Sequence, residues 1–241
     1  MGSERRTAMV AGVLFLVTEV AAIAGAALYR PLLGAAEPVI SPGADTRALL
    51  GALCEVVLVA AVVGTGVALY PVLRRRGEAI ALGYVCGRLM EAAVIAVGIV
   101  GVLALVTLRQ GPAGAPGTGA APLAAADRAL VAVHDWTFLL GPNVALGMNT
   151  LLLAYLMYRA RLVPRFIAVL GLVGGALICA SATAVLFGLY EQVSVPGSLA
   201  ALPVFAWEVS LAVRLIAKGF DAPAAAAPTD ARTFAAVAAA H

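Results

Sequence analysis

Arg88 and Glu91 stand three residues apart in an otherwise apolar run, GYVCGRLMEAAVIAVGIVGVLALV, from Gly83 to Val106. Tyr84 precedes Arg88 by four residues, so a hydroxyl, a cation and a carboxylate fall along one helical stripe. Glu19, Glu55, His134 with Asp135, and Glu208 stand in similarly apolar surroundings. A guanidinium offers five donors and stays charged, a carboxylate accepts protons or cations, and an imidazole exchanges protons near neutrality. Such a set suits ion pairing, proton exchange or the holding of a small polar ligand. Its charge is uneven: five carboxylates face one obligate cation. Away from water, protons or a bound cation must meet the surplus.

The segments that carry these groups are long and oily. The chain has 241 residues, 63% hydrophobic and 12% charged, with a mean hydropathy of +1.01. Soluble domains average about 45–50% apolar and about 25% charged residues, so this composition is that of a chain dissolved mostly in lipid. About 20 apolar residues span about 30 Å of hydrocarbon as a helix. Six stretches qualify, at about 8–29, 47–73, 78–108, 127–158, 165–189 and 199–219. The predicted fold is therefore all-α, a polytopic transmembrane bundle over residues 1–220. The Ala/Pro-rich segment 221–241 reads as a loosely ordered cytoplasmic tail. Span one is too long for the core of a cleaved signal peptide, and Glu19 interrupts it.

Counting at about 1.5 Å per residue from each span end puts Glu19, Glu55, Arg88, Glu91, His134, Asp135 and Glu208 in one mid-membrane layer. Each costs about 2.5–3.5 kcal/mol there on insertion scales, so each is expected to turn inward and share partners around Arg88. The stretch HDWTFLLGPN, His134 to Asn143, adds an indole and a hydroxyl before Gly141-Pro142. Proline inside a span removes a donor and clashes with the preceding turn, which predicts a kink or break, with Asn143 among the groups lining a cavity. ALCEVV and FAWEVS place Glu55 and Glu208 at similar depth, a faint hint that spans two and six correspond. Cys54, Cys86 and Cys179 lie far apart in apolar runs and read as small buried hydrophobes.

Charge in the connections alternates. Arg5 and Arg6, then Arg74, Arg75 and Arg76, then Arg159, Arg161 and Arg165, and finally Lys218 fall on one side. Glu37, Asp45, the Gly/Pro-rich stretch from Gln110 to Pro122, and Glu191 fall on the other, where Arg30, Arg47, Arg109 and Arg128 also sit at span ends and leave the asymmetry incomplete. The positive-inside rule then places both termini in the cytoplasm. It also accounts for a net charge of +3 without a nucleic-acid partner. The chain has no phosphate-binding loop, dinucleotide fingerprint, HExxH or GxSxG, and His134 is the sole histidine within a span. No catalytic residue, metal site or cofactor is expected.

Five stretches together resemble a bacterial family catalogued as domain of unknown function 4386: ADTRALLGALCEVVL, LYPVLRRRGEAIALGYVCGRLMEAAVIAVG, VAVHDWTFLLGP, LMYRARLVPRFIAVLGLVGG and LPVFAWEVSLAVRLIAKGF. They cover about Ala8 to Phe220. The resemblance implies a multi-span integral membrane protein and brings no activity with it. The residues themselves point to a mid-membrane polar pocket for a small ligand or protons, built from Glu19, Glu55, Tyr84, Arg88, Glu91, His134, Asp135, Asn143 and Glu208. Two alternatives stand beside it: an intramembrane enzyme using His134 with carboxylates, and an accessory protein whose buried ion pairs only hold helices together. The expected partners are the lipid bilayer and a small molecule or protons, with the oligomeric state unspecified.

Overall fold

The computed structural model describes residues 3–33, 44–110 and 120–221. The tail 222–241, Glu37 and most of the Gln110–Pro122 connection lie outside the described residues. Seven α-helices follow in order: α1 (Ser3–Leu33), α2 (Ala44–Leu73), α3 (Glu78–Gln110), α4 (Ala120–Leu139), α5 (Leu146–Ala160), α6 (Arg165–Leu186) and α7 (Val195–Ala217). A π-helical turn, Leu140–Ala145, joins α4 to α5. The described residues contain no strand. Six helical segments are long and apolar enough to cross a membrane: Glu4–Arg30, Asp45–Leu73, Glu78–Gln110, Ala124–Ala160, Arg165–Leu186 and Val195–Ala217.

The residues that break the helices are those that cannot continue them. Three arginines and Gly77 make the tight α2–α3 turn, in which the Gly77 N–H reaches the Leu73 carbonyl. Arg161 closes α5 with φ at 52°, and Pro164 then opens α6. Ser194 caps α7 by accepting from the Gly197 N–H at 3.3 Å, a side-chain answer to an otherwise unpaired donor. Gly219, at φ 78°, ends α7. There the Arg5 guanidinium donates to the carbonyls of Leu215 (2.9 Å) and Ile216 (2.6 Å), which complements the negative end of the helix.

Each span packs against its neighbour in sequence, and α7 returns to α1, closing a ring of six. The outer surface is apolar: Val20, Ile23, Leu53, Val67, Val100 and Phe166 are each more than half exposed. Apolar surface spread this widely around a bundle needs lipid rather than water against it. The chain is thus a multi-pass membrane protein. Cys86, expected to be buried, faces outward, while Cys54 and Cys179 are partly exposed. In a membrane protein an outward-facing cysteine still sits in an apolar medium.

The interior has two apolar cores. One gathers Phe15, Leu69, Leu73, Tyr84, Leu153, Trp207 and Leu211 from five spans, with Ile167 and Ile178 from α6. The other gathers Ala21, Leu58, Val62, Ile95, Ile99 and Val102 from α1, α2 and α3, with Leu130 of α4 against it. Between them along the chain lie Glu19 on α1, Arg88 and Glu91 on α3, and Asn149 on α5. The candidate site occupies this seam.

Candidate functional site in the bundle interior

Arg88 is 2% exposed and its guanidinium reaches three side chains. Nε donates to the Tyr84 hydroxyl at 3.2 Å, the neighbour one turn back. Nη1 donates to Glu91 at 3.1 and 3.3 Å, and Nη2 donates across the bundle to Glu208 Oε1 on α7 at 3.4 Å. The rings of Phe15 and Tyr84 flank the guanidinium, each 5.5 Å from its carbon to the ring centroid, close enough for cation–π attraction. Phe15 in turn meets Trp207 edge to face at 6.3 Å. A Cβ on Gly171 would fall 2.4 Å from the Trp207 Nε1, so glycine there is what admits the indole. Two glycines of α6 therefore carry a specific load: Gly171 seats Trp207, and Gly174 meets the Val204 backbone.

Glu91 has a second partner, the Asn149 Nδ2 at 2.7 Å. A Cβ on Gly87 would lie 1.9 Å from Asn149 Oδ1, so α3 admits this amide only because residue 87 has no side chain. Glu19, half-buried on α1, has its carboxyl beside that of Glu208. Glu19, Arg88, Glu91 and Glu208 border one cavity of about 250 Å³. Apart from Thr18 its remaining walls are apolar, among them Leu58, Ile95, Phe138 and Leu146, and Ile23, more than half exposed, stands where it opens toward the bundle's outer face. Three carboxylates and one guanidinium thus border one cavity, with Glu91 and Glu208 paired to the guanidinium.

The other expected members lie elsewhere. Glu55 accepts from the Tyr29 hydroxyl at 3.1 Å and borders a separate small void with His134. So Glu55 and Glu208, alike in depth and local sequence, serve different compartments. Asp135 does not turn inward: its side chain is 65% exposed, and Oδ1 stands 3.6 Å from the His134 Nδ1. Adjacent residues on a helix point about 100° apart, so a buried His134 forces its neighbour toward the bundle surface. Trp136 is half-exposed and Trp207 is wholly buried.

Gly141-Pro142 does not break the span. The chain widens into the π turn, where the Leu146 N–H reaches the Gly141 carbonyl five residues back. One extra residue in the turn makes room for the proline ring. Pro142 cannot donate to the Phe138 carbonyl, and the Asn143 Nδ2 takes its place at 2.9 Å. Asn143 therefore repairs the backbone and does not border the chamber. Among the described residues no three His, Cys, Asp or Glu side chains converge as a metal site would require.

Three groups here were not singled out from sequence. Tyr29 reads there as an aromatic at the end of a span, and Phe15 as one more apolar residue. Asn149 carried a signal, a primary amide in an apolar run, but nothing tied it to Glu91.

The model of the family described as Domain of unknown function (DUF4386) matches residues 10–219. No curated protein and no solved structure is significantly similar to the chain. The match reaches into all six membrane-crossing segments and takes in the whole Arg88 chamber, and the chain belongs to the family described as Domain of unknown function (DUF4386).

Proposed function

We propose that this protein binds or carries a small ligand or protons in the chamber around Arg88. One observation carries the reading: Glu19, Glu91 and Glu208 border a single cavity with Arg88 as its cation. The guanidinium is already engaged with Tyr84, Glu91 and Glu208, and Glu19 has no ion-pair partner among the described residues. Ionisable side chains at membrane depth cluster along substrate and proton pathways because their insertion is costly. The remaining negative charge is met by a proton held between carboxyls or by a small cation. Reconstitution into vesicles holding a pH-sensitive dye tests this. Proton flux is expected in the intact protein, with a fall in Glu19→Gln, Glu91→Gln or Glu208→Gln. Unchanged flux in all three removes the transport reading.

A second reading has its own support. Arg88 joins α3 to α7, and Asn149 joins α3 to α5, which is what a purely structural network does. Under that reading the glutamine variants fold normally and the intact protein passes no protons. The alternative of an intramembrane enzyme rests on His134 with Asp135 or Glu208, and Glu208 borders the Arg88 cavity while His134 borders the other.

We further infer that the bundle lies in a bacterial inner membrane with both termini cytoplasmic. Arg5 meets the end of α7, Arg75 lies 3.5 Å from Glu4, and the Asp221 N–H reaches the Leu162 carbonyl. The basic connections thus gather at one end of the bundle, which supports the positive-inside assignment. Residues 1–220 make the membrane domain, and 221–241 the tail.

A further inference from the structure

Beside the Arg88 chamber lies a second polar space of different make. Glu55, His134 and Thr137 border a void of about 10 Å³, close to the room one water requires. The Tyr29 hydroxyl donates to Glu55 Oε2 at 3.1 Å. The His134 ring meets the Tyr29 ring edge to face at 5.5 Å and stacks over Phe138 at 6.3 Å. His134 is 8% exposed, and its Nδ1 has no hydrogen-bond partner among the described residues. A buried ring nitrogen without a partner is uncommon in a settled structural role.

The groups facing His134 from each packed element are few. Tyr29 comes from α1, Glu55 from α2 and Asp135 from α4 itself, while α3 presents Ile95 and Gly98. No arginine or lysine borders the void, so Glu55 lacks the fixed counter-charge that Arg88 gives Glu91. The imidazole also joins two environments. Its Cδ2 edge would lie 3.9 Å from a Cβ on Gly98, which borders the void, and its Nδ1 edge lies 3.6 Å from the exposed carboxylate of Asp135. Ile95, Phe138 and Pro142 line both this void and the Arg88 chamber. The partition between the two is therefore a single layer of side chains.

We propose that Tyr29, Glu55 and His134, with one water, form a second proton station, linked to the chamber past Phe138 and to the outer face of the bundle at Asp135. The proposal rests on the reading that the chamber carries protons. A proton reaching Glu55 passes through the water to His134 Nε2. The imidazolium then releases its Nδ1 proton to the Asp135 carboxylate, and the ring returns neutral as the other tautomer. Each step moves one proton between lone pairs and requires no further reactant. Chains of Asp, Glu and His within spans serve such relays.

Two measurements test it. Vesicle flux is compared among the intact protein, Glu55→Gln, His134→Gln, Asp135→Asn and Phe138→Ala, each checked for a monodisperse elution profile. Loss of the His134 relay lowers flux by about tenfold or more, and Phe138→Ala, which thins the partition, raises it. If Glu55→Gln and His134→Gln conduct normally while Glu19→Gln or Glu208→Gln does not, the station is off the path and the chamber reading stands. If the intact protein passes no protons, both fall.

The second measurement needs no flux. The chain has 2 histidines, so ¹⁵N-histidine spectra of a His241→Gln variant report His134 alone. Its two ring nitrogens give distinct shifts that report which of them carries a proton. Those shifts are expected to change in Glu55→Gln, which removes the carboxylate across the void, and to stay put in Glu208→Gln, which belongs to the other cavity. Ring shifts indifferent to Glu55 overturn the station.

Discussion

Arg88 is the side chain on which the others depend. Tyr84 and Glu91 share its helix and would meet it in an isolated peptide. Glu208 is 120 residues away and reaches it only because α7 closes the ring. A buried cation with two carboxylate partners is costly to undo from one side, since the partners remain behind without charge compensation. Arg88→Ala is therefore expected to destabilise the protein by about 3–5 kcal/mol. Heating detergent-purified protein and measuring what stays monodisperse would show the loss, and adding Glu208→Gln to the same variant should recover part of it. Equal melting of Arg88→Ala and the parent would mean that the network does not hold the bundle. That Arg88 would turn inward was legible from its cost in lipid. That Phe15 and Trp207 would wall it was not, because an aromatic in an apolar run looks the same facing lipid or core.

At the scale of elements, α3 does most of the positioning, and glycine sets how closely its neighbours approach. Gly87 leaves space for the Asn149 amide that reaches Glu91. Gly83, one turn earlier, would place a Cβ 3.8 Å from Leu152 Cδ1, an ordinary contact. The pair makes a controlled comparison. Gly87→Ala should cost about 1–3 kcal/mol by overpacking, whereas Gly83→Ala should leave the melting temperature where it was. Similar behaviour in both would show that Asn149 has somewhere else to go. The π turn makes a related point. Proline in a span announces a disturbance, and Asn143 beside it supplies the replacement donor. Neither residue alone says whether the chain breaks or widens. That depends on α3, since Gly141 packs against Ile95 and the Glu91 backbone and leaves little room for a sharp bend.

For the whole molecule, the basic excess sits at one end. The basic connections gather at one end, while at the other Arg109 holds Asp127 through paired contacts of 2.6 and 3.1 Å and Gln110 bonds Asp45 at 3.0 Å. A cytoplasm-dependent fluorescent reporter should therefore light up at either terminus and stay dark in the 111–119 connection, where a periplasm-dependent phosphatase should be active instead. The reverse pattern would invert the orientation. Six helical spans, and the turning of most buried charges away from lipid, followed from the sequence itself. Hydrocarbon offers neither backbone nor charge a partner, so few arrangements are open to such a chain. The grouping of the acids did not follow. A span apolar all round gives no phase by which hydropathy could orient it. Only the packed bundle put Glu208 beside Glu19, gave Glu55 to Tyr29 and left Asp135 outside, because those choices turn on each helix's rotation against its neighbours.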